Sequence, residues 1–208
     1  MKHNEERLNE IMARLEQLPH VPLEKIPEIN LYMDQVTSFM EEQLKSTKRN
    51  PEDKALTKTM INNYAKNRLL PPPVKKKYSR EHMVMLLFIY YYKNLLSFAD
   101  IEQLFLPLTS HHFGTDNQPS FDSIYEEIIE LEKQQMEPLR EDVRTKYQAA
   151  TQTFADAPED EREYLQLFAF ISELSFDAYL KKQIVEQLID QFRAEEEAAA
   201  PNAGRKKR

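Results

Sequence analysis

The chain has 208 residues, two glycines, no cysteine and a formal net charge of −7. That length suits one or two domains with a real core, while only Gly114 and Gly204 leave no room for a P-loop or a dinucleotide fingerprint. Without cysteine there are no disulfides, thiol nucleophiles or thiolate zinc sites, which fits a reducing compartment.

Few turn residues, no Asn-Gly or Asp-Gly hairpin signal, and abundant Leu, Glu, Lys and Gln predict an all-α chain. The longest apolar run, Met83 to Tyr92, has ten residues, too short for a bilayer span. The N-terminus carries no apolar signal-peptide core, so a cytoplasmic, soluble protein is expected. Charge is distributed unevenly. Residues 45–82 hold eleven Lys/Arg against three Asp/Glu, net +8, and residues 116–200 hold eight against twenty-one, net −13. A basic patch concentrated in this way is a footprint for a polyanion, and its acidic counterweight orients the encounter.

Residues 1–18 read as a helix with Leu8, Ile11, Met12, Leu15 and Leu18 on one stripe, stopped by Pro19 and Pro22. With the connector that follows, this is an N-terminal unit over 1–23. Leu31 to Leu44 is the next helix, burying Leu31, Val36, Phe39, Met40 and Leu44. Asp34 and Gln35 at its start read as groups that orient neighbouring backbone. Ser46 to Lys54 is a basic loop, longer than a minimal helix-turn-helix turn. In it Lys48 and Arg49 are either phosphate contacts or uninvolved.

Thr57 is a fair N-cap for a helix reaching Asn67, with Met60, Ile61 and Tyr64 turned inward. Its opposite face carries Lys58, Thr59, Asn62 and Asn63, side chains able to read base edges in a major groove. Lys66 and Arg68 suit phosphates. Tyr64 is expected to pack its ring and leave its hydroxyl exposed. Pro71, Pro72 and Pro73 end the helix and lead to a short wing projecting Lys75, Lys76 and Lys77, then Tyr78.

Ser79 to Leu96 is apolar nearly all round and should be the hub of the core. Ser79 with His82 is a partial capping pattern, since a capping box has Glu or Gln at the third helical position. Arg80 and His82 lie near the wing, on the side expected to face DNA. Ser97 caps a helix from Phe98 to Phe105 that Pro107 ends. His111 and His112 form a loop pair, and 113–119 is a linker. From Ser120 come acidic amphipathic helices: one bent at Pro138, one from about Pro158, and a third restarting at Ser175. They are expected to form a helical bundle or dimerisation domain over 120–193. Residues 194–208 read as a basic-ended disordered tail.

Several stretches resemble known families. Tyr64, Leu69-Leu70-Pro71-Pro72, Lys75 to Lys77, Tyr78-Ser79-Arg80-Glu81 and Leu96-Ser97-Phe98-Ala99-Asp100-Ile101 are similar to the MerR-type winged helix-turn-helix. Asn62 stands where such helices usually place an arginine, and Arg68 where they have a turn glycine. The segments Leu31 to Val36, Leu56 to Tyr64 and Val74 to Tyr78 resemble the family called domain of unknown function 1836. The resemblance covers about residues 24–112 and implies a recognition helix and a wing.

No Ser-His-acid set is identifiable by spacing, and the carboxylates sit on polar faces or tails without apolar neighbours to raise their pKa. The expectation is therefore non-enzymatic, with no metal and no cofactor: a sequence-specific DNA-binding transcriptional regulator, homodimeric, on double-stranded DNA. The rival from another class is a helical interaction module whose basic face docks an acidic partner or the chain's own acidic half.

Overall fold

The structure is a computed structural model and describes residues 3–15 and 21–199. It is mostly helical: α1 (Asn4–Leu15), α2 (Met33–Leu44), α3 (Lys58–Lys66), α4 (Arg80–Tyr92), α5 (Phe98–His112), α6 (Phe121–Gln134), α7 (Met136–Thr151) and α8 (Glu159–Ala199). Two short strands, β1 (Leu31–Tyr32) and β2 (Lys77–Tyr78), pair antiparallel, Leu31 opposite Tyr78 and Tyr32 opposite Lys77. No described helix is long and apolar enough to cross a membrane.

Helix α4 is the hub its sequence predicts, with every residue from His82 to Tyr90 buried. Around it pack Val36, Met40 and Leu44 of α2, Ile61 and Tyr64 of α3, Ile101 and Phe105 of α5, and Phe121, Tyr125 and Ile129 of α6. Full burial of each such aliphatic or aromatic side chain contributes about 1.5–3 kcal/mol relative to exposure. A second cluster joins Leu8 and Met12 of α1 to Val143 and Ala150 of α7 and Phe170 of α8. Asn4 fixes that joint by donating through Nδ2 to the Glu163 carbonyl at 2.8 Å. Helix α8 runs between the clusters and adds Ile189 to the α4 core.

Several sequence expectations are corrected here. Residues 113–119 do not separate two cores, because Phe121, Tyr125 and Ile129 beyond them belong to the α4 core. The Tyr125 hydroxyl, moreover, donates to the Val21 carbonyl at 2.7 Å. Helix α5 does not end at Pro107 but carries it internally. Proline forfeits one backbone bond there, the one to the carbonyl four residues back, while Ile101 and Phe105 anchor the helix in the core. Nor does a helix restart at Ser175. Its hydroxyl donates to the Ile171 carbonyl at 2.7 Å, so the side chain is absorbed into one 41-residue helix.

Pro138 lies in the first turn of α7, where no backbone N–H is needed, and so separates α6 from α7. Helix α8 also extends to Ala199, into the segment expected as a tail. The basic end at 200–208, and Leu18 with Pro19 at the close of the first helical stripe, lie outside the described residues.

Candidate nucleic-acid interface

The interface candidate is the outer face of α3 with the turn before β2. Thr57 accepts from the Met60 N–H at 3.2 Å and caps α3 as its sequence predicts. With Ile61 and Tyr64 buried, the helical period places Lys58, Thr59, Asn62, Asn63 and Lys66 on the solvent side, and all five are exposed. Lys58 pairs with Asp34 of α2. A pair this exposed contributes under about 1 kcal/mol, so the ammonium exchanges readily for another anion.

Helix α3 ends in a left-handed residue. Arg68 has φ 59°, and the Leu69 N–H turns back to the Tyr64 carbonyl at 2.9 Å while Asn67 N–H reaches the Asn63 carbonyl at 2.9 Å. This closing geometry ordinarily takes glycine, and a side chain there costs about 1–2 kcal/mol. Arg68 is exposed beside Lys66 and Asn67.

The lysine segment is tighter than a spacer. Val74 and Lys77 exchange both backbone hydrogen bonds, at 3.1 and 3.0 Å, and the two residues between them, Lys75 and Lys76, have φ of 52° and 65°. Positive φ at both central positions is the mirror-image hairpin turn that favours Asn-Gly. Here two lysines occupy it, both exposed. Lys77 is half-buried in β2, its Nζ 5.1 Å from the centre of the Tyr32 ring.

Tyr64 packs its ring as expected, 2 % exposed and edge-on to Phe98 at 5.9 Å, and burial pushes its phenol pKa up. Three of the expected contacts face elsewhere. Tyr78 is buried, edge-on to His82 at 5.4 Å. Arg80 points back into the fold, donating to the Leu23 carbonyl at 2.6 Å and pairing with Asp122 at 3.3 Å and Glu28 at 3.5 Å. His82 is 3 % exposed between Tyr78 and Phe113, and burial lowers its pKa. These residues support the face from behind. Their positions were read from nearness in sequence to the lysines, whereas a helix start faces its groups to all sides.

Gln35 acts as expected, its Oε1 accepting the Tyr32 N–H at 2.9 Å. Lys48 is removed from the loop's outer surface: it pairs with Glu41 and donates to the Pro51 carbonyl at 3.1 Å. The Lys48 hydrogen bond, then the Ala55 N–H, hold the Glu41 carboxyl below the usual carboxylate range. Arg49 stays exposed. Tyr32, more than half exposed, is the residue sequence reading missed. Only pairing of strands 45 residues apart sets its ring beneath Lys77.

The arrangement as a whole is that of a mostly helical chain in which the outer side of α3 and the turn before β2 each carry exposed amides or cations. Residues 21–128 match the family described as Domain of unknown function (DUF1836), and the chain belongs to that family. No curated protein and no solved structure matches it.

Proposed function

We propose that the protein is a sequence-specific DNA-binding regulator, acting as a homodimer. In this reading α3 enters the major groove and the Val74 to Lys77 turn serves as a wing on the phosphate backbone, a winged helix-turn-helix of MerR-like layout. The observation that carries it is the shared exposure of Asn62, Asn63 and Lys58 on α3 with Lys75 and Lys76 on the turn. Asparagine offers the two-fold pairing that adenine presents in the major groove, and lysine suits guanine acceptors or phosphates. Two lysines held in left-handed backbone support the reading as well, since strain of this kind collects where a loop has a task.

The rival reading is an interaction module whose basic face docks an acidic partner; its intramolecular form, docking on the chain's own acidic half, has less support. The acidic helices pack on α4, α5, α1 and the 23–25 turn, while the outer face of α3 stays open to solvent. Selection from a randomised duplex pool with the full chain tests the proposal. Enrichment of one motif, with affinity falling steeply as salt rises, is the expected result. Recovery of no motif, together with salt-independent binding, would overturn it.

A further inference from the structure

Helix α8 leaves large apolar side chains in water along most of its length. Counting in fours from Tyr164, the row reads Tyr164, Phe168, Ser172, Phe176, Leu180, Ile184 and Leu188. Its six apolar members are 45 to 62 % exposed, and three further apolar side chains beside them are at least 40 % exposed. Taking about 200 Å² for a whole large side chain, these nine offer on the order of 900 Å². Five of them, Phe168, Phe176, Tyr179, Leu180 and Ile184, point within about a quarter turn of Phe176 and offer roughly 550 Å². That is near the low end of specific interfaces, at about 600 Å² on each partner, and monomers rarely expose so much apolar surface on one element.

The row has the form of one helix-packing ridge. Side chains four apart line up obliquely on a helix, and two identical such ridges interdigitate when the helices cross. It is also symmetric about Phe176: eight residues to either side stand Phe168 and Ile184, and twelve to either side Tyr164 and Leu188. A two-fold axis through Phe176 therefore sets that ring on its own copy, Leu180 beside Ser172 and Phe168 beside Ile184, while the row turns Tyr164 and Leu188 to the flanks. An antiparallel arrangement opposes the helix dipoles and keeps the acidic first turns, Glu159, Asp160 and Glu161, apart.

We propose that a second copy of this chain covers α8, the two helices crossing antiparallel at Phe176. This deepens the dimeric regulator described above and rests on that reading, because the crossing sets the spacing of the two α3 faces. Its geometry can be measured without DNA. Sedimentation of the full chain should give a dimer, and Phe176→Glu, a change on an exposed side chain, should keep the helical circular dichroism while weakening dimerisation at least about thirtyfold.

Since the chain has no cysteine, register is read from introduced ones. Phe176→Cys should cross-link to itself through a short bis-maleimide. Ser172→Cys should cross-link to Leu180→Cys in a mixed sample, but not to itself. A monomeric wild type, a dimer indifferent to Phe176→Glu, capture of a different protein by this face with no self-association, or self-linking of Ser172→Cys would each overturn the proposal. A dimer that binds no duplex leaves it standing and removes the DNA reading; a monomer that binds duplex does the reverse.

Discussion

The backbone N–H of Ser79 donates to Nδ1 of His82 at 3.0 Å, and the imidazole closes the start of α4 in the way a glutamine or glutamate ordinarily does. The same Nδ1 lies 2.7 Å from the Ser79 hydroxyl. Because Nδ1 accepts, the ring is neutral with its proton on Nε2. That atom is buried without a hydrogen bond of normal geometry, near the carbonyls of Pro72 and Pro71, which partly offset the effect of burial.

A pH dependence of stability follows. Burial holds the folded-state pKa of His82 below its ordinary value of 6.5, so the unfolded chain binds the extra proton first. The stabilising contribution is whole above pH 6.5 and is lost as pH falls through the folded-state value. Urea unfolding between pH 7.5 and 5 should show this decline. His82→Gln, which keeps an acceptor for the Ser79 N–H, should flatten that part of the profile, and an unchanged slope would remove His82 as its source.

Lys75→Ala with Lys76→Ala is expected to weaken duplex binding for every sequence alike. If each lysine meets one phosphate, the slope of log affinity against log salt should lose roughly 1.8. Lys77 is left in place because it packs on Tyr32. Fluorescence anisotropy titrations at several salt concentrations measure both quantities.

Asn62→Ala and Asn63→Ala should behave differently from the lysine pair. Each is exposed, so stability should stay within about 0.5 kcal/mol of the parent. Discrimination at one or two base pairs should fall by about 1–3 kcal/mol, read by competition between the selected site and its point variants.

Arg68→Gly should separate stability from binding. Removing the side chain from φ 59° relieves the left-handed strain and should raise stability by about 1 kcal/mol, seen as a higher denaturant midpoint. The lost cation should at the same time lower duplex affinity and reduce the salt slope by roughly 0.9.

The helices around the candidate interface were legible in sequence wherever a local rule was sufficient. Thr57 caps α3 because its hydroxyl meets an N–H three residues on, and the period of Ile61 and Tyr64 assigns the polar side of that helix to water. The unbroken apolar run of α4 required burial on every side. Where the outcome depended on residues distant in the chain, sequence reading went astray. It set His82 on the outer side, but Tyr78 and Phe113 meet that ring and bury it. It aimed Arg80 outward, but Asp122 and the Leu23 carbonyl draw the guanidinium in.

What the sequence by itself determined is thus the helical class, the core faces of α2, α3 and α4 and the concentration of cations near α3, since periodicity, capping and charge are properties of neighbours along the chain. Only the tertiary structure decided that α5 survives Pro107, that α8 passes Ser175 without a break, and that α6 joins the α4 core. In each case packing or a side-chain hydrogen bond offset a local preference of about one to three kcal/mol, and such compensation comes from partners that no short stretch of sequence contains.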